Sequence, residues 1–284
     1  MTKYDAIIIG SGQAANPLAG KLAAAGWRTA LIDKKFIGGT CVNTGCTPTK
    51  TLIASGRVAY LAKRSADFGI HTGEVSVDIE AVIRRKNAHV LAARESASKR
   101  LLETHNLEVH FGTAYFSGPK QVDVLRDDGS RGTMTADHIF IDTGTSPAIP
   151  AITGLESIPY LTSDTILELM VIPSHLVIIG SSYIALEFGQ LYRRLGSEVT
   201  ILESHTRFLS KEDEDIAGEL KKILEDDGIR IFTGATVEAM RTEPAANQDS
   251  PSRNPSSHAK SDAAEIHIDL AFSTPVAIAN GSQA

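Results

Sequence analysis

The chain has 284 residues, which is enough for about two domains of ordinary size. It carries 28 basic and 34 acidic residues, and 42% of its residues are hydrophobic. This composition excludes disordered, fibrous and membrane proteins, and the net charge of −6 argues against nucleic acid as a partner because phosphate binding needs a basic face. The only cysteines, Cys41 and Cys46, exclude both a disulfide-stapled small domain and a four-thiolate zinc site within one chain.

The first residues carry no targeting signal. The apolar run at residues 6–9 stops at Gly10 and is too short for a signal peptide or a membrane span. We therefore expect a cytoplasmic protein without a membrane partner. In that reducing compartment, two close cysteines are more often catalytic or metal-binding than structural.

The chain begins with the pattern of a dinucleotide-binding βαβ unit. An apolar strand leads into a G-x-G-x-x-A turn formed by Gly10, Gly12 and Ala15. The helix that follows has apolar residues at helical spacing and a glycine at its end: Leu18, Leu22, Ala25 and Gly26. In such units the two glycines make the sharp turn and let the backbone approach a pyrophosphate. The next strand ends at Asp33, whose carboxylate is placed to accept hydrogen bonds from a ribose diol.

Residues 38–50, GGTCVNTGCTPTK, contain both cysteines. Pro48 stands near the start of a predicted helix over 47–64, which places Cys46 just before a helix N-terminus. The helix dipole and the charge of Lys50, one turn further on, stabilise a thiolate at that position. These features indicate a redox dithiol.

Two other interpretations of the cysteines are disfavoured. The Gly- and Asn-rich flanks are poor core material, which argues against a buried structural pair. A zinc site would need two further ligands, and only His105 and His110 have a suitable spacing. We therefore expect no metal centre.

Between this segment and the next unit the sequence predicts helices and short strands. The helices cover 47–64 and 78–102, and the strands 107–116, 121–125 and 138–141. The second helix carries six basic residues: Arg84, Arg85, Lys86, Arg94, Lys99 and Arg100. We interpret this basic run as a solvated helix face.

The first unit recurs 170 positions later, so that Gly10 corresponds to Gly180 and Asp33 to Glu203. The second turn reads G-x-S-x-x-A, and Ser182 puts a hydroxymethyl group where a pyrophosphate should approach. The helix that follows has apolar residues at helical spacing: Ile184, Phe188, Leu191 and Leu195. Because the two copies match in register, we do not interpret the glycine turns as ordinary αβ turns without a binding role. The carboxylate of Glu203 repels a 2′-phosphate and predicts a preference for NADH over NADPH, which Arg207 would soften.

The rest of the sequence completes the predicted domain organisation. A helix over 214–224 and a strand over 229–239 follow the second unit, and the composition then becomes rich in Pro, Ser and Ala. The predicted fold is α/β, with two Rossmann-like domains built on parallel sheets covered by helices. The segments are a first dinucleotide-binding domain at 1–150, a second at 151–242, a disordered linker at 243–264 and a tail at 265–284 that could supply one or two strands.

A resemblance to a known family implies that the domain at 1–150 binds FAD and the domain at 151–242 binds NAD(P). Residues 38–50 resemble the redox-disulfide signature of the pyridine nucleotide-disulfide oxidoreductases, flavoenzymes that include dihydrolipoamide dehydrogenase, glutathione reductase and mercuric reductase. The second turn, with Ser182, resembles the mercuric reductase branch most, and the resemblance covers roughly residues 4–240. It implies FAD and NAD(P)H as cofactors, with hydride passing from NAD(P)H to FAD and two electrons then passing through the Cys41–Cys46 disulfide to a disulfide or mercuric ion substrate.

The resemblance also implies residue roles. Cys46 would face the flavin as the charge-transfer thiolate, Cys41 would be the interchange thiol, and Lys50 would lie near the flavin N5 and pair with Glu187. The other FAD contacts would be Gly10, Ser11, Gly12, Ala15, Asp33, Thr40, Ala114, Thr143, Gly144 and Thr145. The nicotinamide dinucleotide would lie against Gly180, Ser181, Ser182, Tyr183, Ile184, Glu203 and Val237.

The sequence also departs from the family. Family members are longer, have a Gly-Asp that holds the ribityl chain, and form homodimers in which a C-terminal His and Glu complete the partner's active site; this sequence has none of these motifs and no C-terminal cysteine pair for mercury. We therefore expect a chain truncated after the NAD(P)-binding domain, without the dimerisation domain. Three alternatives stay open: an incomplete disulfide or mercuric reductase, a smaller flavin reductase without the histidine, and a nucleotide-binding fragment that does not turn over.

Overall fold

The computed structural model describes residues 1–243 and 265–272. The chain forms two compact units, one of residues 1–147 with 163–171 and one of residues 148–162 with those from 172 onward. The predicted linker lies outside the described residues except for its first position, as does the tail beyond 272. The prediction of an α/β fold with parallel sheets is confirmed in both units.

The first unit is built on a six-stranded sheet in the order β3-β2-β1-β6-β5-β4. Its strands are β1 (Thr2–Ile9), β2 (Thr29–Asp33), β3 (Leu107–Phe111), β4 (Thr113–Gly118), β5 (Gln121–Leu125) and β6 (Arg131–Ile141). The first four strands in that order are parallel, and β5 and β4 extend the sheet as antiparallel strands. The predicted strand at 107–116 is divided at Gly112, where a side chain would meet the carbonyl of Leu125 at 2.6 Å.

The core of this unit lies on both faces of β1. Its helices are α1 (Ala15–Ala24), α2 (Gly39–Asn43), α3 (Cys46–Lys63) and α4 (Ile79–Leu102). Ile8 packs with residues of α1 and α4 on one face, and Ile7 packs with residues of β5 and β6 on the other. The fully buried residues of α1 are three alanines, Ala15, Ala19 and Ala23. Ala25, one of the apolar residues at helical spacing, does not belong to this buried face, because it is the exposed C-cap residue of α1.

The prediction of α4 is confirmed, with Asp78 as the N-cap that accepts a hydrogen bond from the Ala81 N–H. The interpretation of its basic residues as a solvated face is wrong for Lys86, which is only 1% exposed and whose ammonium lies 2.6 Å from the carboxylate of Glu168. Arg94 is half-buried and donates to Asn43. Arg85 is exposed as predicted, although it also donates to the Thr51 carbonyl. The hydrophobic pattern of a helix cannot show such tertiary partners, so the error has a physical origin.

The second unit is built on a parallel sheet in the order β7-β8-β9. Its elements are β7 (His175–Ile179), α5 (Tyr183–Leu195), β8 (Glu198–Glu203), α6 (Glu214–Asp226), β9 (Ile229–Thr233), β10 (Ala235–Glu243) and β11 (Glu265–Phe272). Three of the four predicted apolar positions of α5 are buried, but Ile184 is exposed. The tail does supply a strand, since β11 pairs antiparallel with β10. Within the described ranges, no helix is long and apolar enough to cross a membrane.

Candidate functional site

The first glycine turn lies at the carboxyl end of β1. The Gly10 N–H donates to the Ile32 carbonyl at 2.7 Å, and Gly10 has a φ of 105°. A side chain at Gly10 would meet the carbonyl oxygen of Asp142 at 2.0 Å, so only glycine fits. Beyond the turn, α1 begins after Ala14, which provides no side-chain cap. The turn therefore leads into a helix N-terminus at the position where a pyrophosphate would bind, and the Ala15 N–H there donates to the Asp142 carboxylate at 3.0 Å.

The acidic residue of the first unit is fixed by a serine of the turn. The Ser11 hydroxyl donates to the Asp33 carboxylate at 2.5 Å, and the other carboxylate oxygen accepts from the Lys35 N–H at 2.9 Å. Ser11 Oγ also accepts from the Gly38 N–H at 3.1 Å. Each Asp33 oxygen thus has a lone pair left for a ribose hydroxyl.

The strand-end segment of β6 lies beside this turn. The Asp142 N–H donates to the Ile9 carbonyl at 2.8 Å, which places the exposed residues 143–145 directly after the pairing of β6 with β1. Ala114, in β4, has its side chain packed against the core, so a cofactor contact there would come from its backbone.

The segment with the cysteines packs closely on the glycine turn. A side chain at Gly39, which has a φ of 61°, would lie 2.6 Å from the Cα of Gly12. Two glycines are therefore needed for this approach, and together they bring α2 against the turn. Thr40, the second residue of α2, is exposed.

Cys41 lies in α2 and Cys46 is the first residue of α3. The two helices meet at Gly45, where a side chain would come within 2.9 Å of the Thr40 carbonyl and 3.3 Å of the Cys41 Cα. This close packing brings the two thiols into hydrogen-bonding contact. The sequence prediction of a pair able to form a disulfide is consistent with this geometry.

The environments of the two free thiols differ. Cys41 is half-buried, and its pKa is raised by burial and by the hydrogen bond with the Cys46 side chain. Cys46 is exposed, and so is Lys50, four residues along the same helix. The arrangement places a cation one turn from the more accessible thiol.

The second glycine turn repeats the first. The Gly180 N–H donates to the Leu202 carbonyl at 2.7 Å, and Gly180 has a φ of 93°. Ser182 is the N-cap of α5 and makes no side-chain cap, and it is exposed together with Tyr183, whose exposed fraction is 71%. This helix N-terminus is therefore open, although Ser182 stands where the first turn has a glycine.

Glu203 occupies the position that corresponds to Asp33 and is more fully bonded. One carboxylate oxygen accepts from the Ser181 N–H at 2.9 Å and from the Ser181 hydroxyl at 2.6 Å. The other accepts from the His205 N–H at 2.8 Å and contacts its Nδ1 at 2.7 Å. Burial raises the pKa of Glu203, but these hydrogen bonds outweigh it and hold the pKa at about 2. A ribose hydroxyl would therefore have to replace the His205 ring, which is 68% exposed.

Comparison with known proteins agrees with this geometry. The family described as pyridine nucleotide-disulphide oxidoreductase matches residues 4–271. The chain belongs to this family.

Several relatives of this family member are similar over most of the chain. A mercuric reductase from Bacillus cereus is 39% identical over 240 residues, which are 84% of this chain and 37% of the relative. The probable pyridine nucleotide-disulfide oxidoreductase RclA from Escherichia coli (strain K12) is 38% identical over 84% of this chain and 51% of the relative. The chain thus spans about half or less of the length of these relatives.

A solved structure supports the fold of this family member. The Cu(II) complex of the HOCl-induced flavoprotein disulfide reductase RclA from Escherichia coli superposes with a TM-score of 0.75 at 36% identity. The match covers 86% of this chain and 52% of that chain.

Asn43 and Arg94, together called the Arg94 clamp, hold residues 38–50, the dithiol segment of this family member. The sequence did not indicate this pair of residues. The Asn43 amide donates to the carbonyls of Ile37 and Gly39 at 3.2 and 2.9 Å, and its oxygen accepts from Arg94 Nε at 2.8 Å. The Arg94 guanidinium also lies 3.7 Å from the centre of the Phe36 ring. No short motif contains both Asn43 and Arg94, so only the tertiary structure reveals their contact.

Two further predicted site residues, Val237 and Glu187, lie in the second unit. Val237 lies in β10, is 9% exposed and packs in a core cluster with Leu202 and Met240, so its side chain is not available to line a nicotinamide site. Glu187 lies in α5, and its pairing with Lys50 stays a prediction.

Proposed function

We propose that this chain provides the FAD site, the NAD(P)H site and the redox dithiol of a flavoprotein disulfide reductase. The observation that carries the proposal is the packing of the dithiol segment on the first glycine turn, where Gly39 and Gly12 touch through their backbones. That contact supports a position of Cys41 and Cys46 beside a bound dinucleotide. A redox group bound there would lie next to two thiols that already touch each other.

The residues of the first unit fit FAD. The N-terminus of α1 would bind the pyrophosphate, Asp33 has lone pairs for the adenosine ribose, and residues 143–145 are exposed beside the turn. FAD, when bound, supplies the exchange between hydride transfer and two-electron transfer to a disulfide.

The second unit would bind reduced nicotinamide through the N-terminus of α5 and Glu203. We propose NADH rather than NADPH, because the Glu203 carboxylate at the end of β8 would place a negative charge against a 2′-phosphate. Arg207, which could have offset this charge, has its guanidinium bonded to the Ser210 and Glu212 carbonyls. A kcat/KM for NADPH equal to that for NADH would contradict this preference.

The two thiols would have different roles in electron transfer. Two electrons and one proton convert the Cys41–Cys46 disulfide into one thiol and one thiolate. Burial and the hydrogen bond with the Cys46 side chain raise the pKa of Cys41, which favours the proton on Cys41, and the exposed Cys46 begins α3. Cys46 therefore suits the thiol that faces the flavin, and Cys41 the thiol that exchanges with substrate once it loses its proton.

The substrate class follows from soft thiolate chemistry. A dithiol of this kind reduces another disulfide by exchange, and it also binds soft metal ions such as mercuric ion. Among the relatives, mercuric reductases and a disulfide reductase both occur by name, so both substrate classes are proposed. We also propose a cytoplasmic location, since a reducing compartment suits a catalytic dithiol.

Turnover by the purified chain tests the proposal. After reconstitution with FAD, NADH oxidation is followed with lipoamide, glutathione disulfide or mercuric ion as acceptor. We expect turnover with at least one acceptor, and its loss in Cys41→Ser and in Cys46→Ser but not in the control Thr44→Ser between them. FAD and NADH binding without turnover would instead favour a nucleotide-binding fragment.

A further inference from the structure

We propose that the carboxylate of Asp142 competes with the FAD pyrophosphate for the first turn of α1, and so weakens the binding of flavin by this chain. The inference rests on the proposed flavin site. It assigns an affinity-setting role to a residue at the end of β6 that no motif indicates.

The first observation is a hydrogen bond at the start of α1. The Ala15 N–H donates to Asp142 Oδ2 at 3.0 Å. The N-cap residue Ala14 offers no side-chain acceptor, so a carboxylate from another strand fills that role. The unpaired N–H groups and the positive end of the helix dipole at this position are the features that bind a pyrophosphate.

The second observation concerns Gly12, whose missing side chain lets a pyrophosphate approach the backbone. A side chain at Gly12 would lie 3.1 Å from the same oxygen, Asp142 Oδ2. The carboxylate therefore lies against the space that the glycine leaves open. Pyrophosphate and carboxylate would occupy neighbouring or overlapping positions, and both are anions.

The Asp142 backbone holds the carboxylate near this position. Its N–H donates to the Ile9 carbonyl at 2.8 Å, and its own carbonyl packs against Gly10, where an added side chain would meet it at 2.0 Å. Because the backbone is fixed from both sides, only rotation of the side chain can remove the carboxylate from the turn. Even after rotation its charge stays close to the bound pyrophosphate.

The substitution Asp142→Asn removes the negative charge of the side chain and keeps its size and shape. Asn keeps an oxygen that can accept from the Ala15 N–H, and it removes the negative charge that opposes the pyrophosphate. At short range in a partly buried site, this charge is worth roughly a tenfold change in affinity. The same change should weaken at high ionic strength, because salt screens interactions between partly exposed charges.

Titration of the FAD-free full chain with FAD, followed by quenching of flavin fluorescence, tests the inference without any turnover. We expect Asp142→Asn to bind FAD roughly tenfold more tightly than wild type at low salt, with a smaller gain in 0.5 M salt. The control Asp137→Asn removes the same charge from the middle of β6, five residues before Asp142 and next to Ala136, which pairs with Tyr4, and it should leave the affinity unchanged.

The outcomes distinguish the role of Asp142 from the existence of the flavin site. If wild type binds FAD and Asp142→Asn binds it equally or more weakly, the inference about Asp142 is wrong and the flavin site stands. Asp142→Ser, which also removes the charge, must agree with Asp142→Asn, and it replaces that variant if the latter does not fold. If folded wild type and folded variants all fail to bind FAD, the flavin site itself is contradicted and the inference is overturned with it.

Discussion

The Ser181 hydroxyl donates a hydrogen bond to the Glu203 carboxylate at 2.6 Å, across 22 positions of sequence. The first unit contains the same relationship between Ser11 and Asp33, also 22 positions apart. In both copies, the acidic residue also accepts from the backbone N–H two positions further on. The internal repeat therefore extends from the backbone to the contacts that orient each candidate ribose-binding carboxylate.

Glu203 should make the stability of the protein depend on pH in acid. Folding lowers its pKa to about 2, from about 4.3 in an unfolded chain, so its contribution is complete above about pH 5 and is lost as the pH falls towards 2. We expect the difference in free energy of unfolding between wild type and Glu203→Gln to be largest near pH 7 and to shrink between pH 5 and 3. Urea titrations at several pH values measure it, and a difference independent of pH would contradict the assignment.

Two glycine substitutions should have opposite effects. Gly10→Ala places a methyl group 2.0 Å from a backbone carbonyl at a φ of 105°, and we expect a loss of about 3 kcal/mol or more in the free energy of unfolding. Gly20→Ala, within α1 and with no atom within 4 Å of the new methyl, should gain about 0.5 to 1 kcal/mol. Thermal and urea unfolding give both values. Equal effects at the two positions would show that Gly10 is not required by the turn.

The Arg94 clamp should control access to the half-buried thiol. Arg94→Ala removes the hydrogen bond to Asn43 and the contact with the Phe36 ring, at a cost of about 1 to 2 kcal/mol. We expect faster alkylation of Cys41, measured by mass spectrometry under reducing conditions, and only partial recovery in Arg94→Lys. The control Arg84→Ala loses an exposed ion pair on the same helix and should change neither quantity measurably.

The stability of the protein should depend on Glu168, because its carboxylate compensates the charge of the buried Lys86. Glu168→Ala leaves the ammonium without its carboxylate and should lower the free energy of unfolding by about 2 kcal/mol. Lys86→Met removes the charge and keeps the volume, so it should cost less than Glu168→Ala. The reverse order in urea unfolding would contradict the assignment of Glu168 as the partner that compensates the buried Lys86 charge.

Regular backbone features could be predicted from the sequence, because repeat spacing and helical periodicity record local structure directly. The recurrence of Gly10 at Gly180 located both βαβ units, and Pro48 located the start of α3 within two residues. The division of predicted strands at Gly112 and Gly234 was missed, since apolar runs continue past both glycines.

Contacts between distant segments could not be predicted. Lys86 and Arg94 look like surface charges in sequence, because the periodicity of α4 does not reveal that a carboxylate and an amide lie within their reach. The buried alanine face of α1 was also missed, since larger apolar residues at Leu18 and Leu22 dominate the pattern, while close packing on the sheet requires the smallest side chains. The contact of Asp142 with Ala15 was missed for the same reason, because the two residues are 127 positions apart and no local pattern links them.

The visible spectrum of the FAD-reconstituted chain during anaerobic titration with NADH tests the redox dithiol most directly. We predict that two-electron reduction of the disulfide produces a long-wavelength band from a Cys46 thiolate in contact with oxidised flavin, and that Cys46→Ser abolishes the band. Cys41→Ser cannot form the disulfide, so it should show the band before NADH is added and lose it when NADH reduces its flavin. Reduction of the flavin without this band in wild type, or a chain that takes up no FAD, would contradict the proposed function.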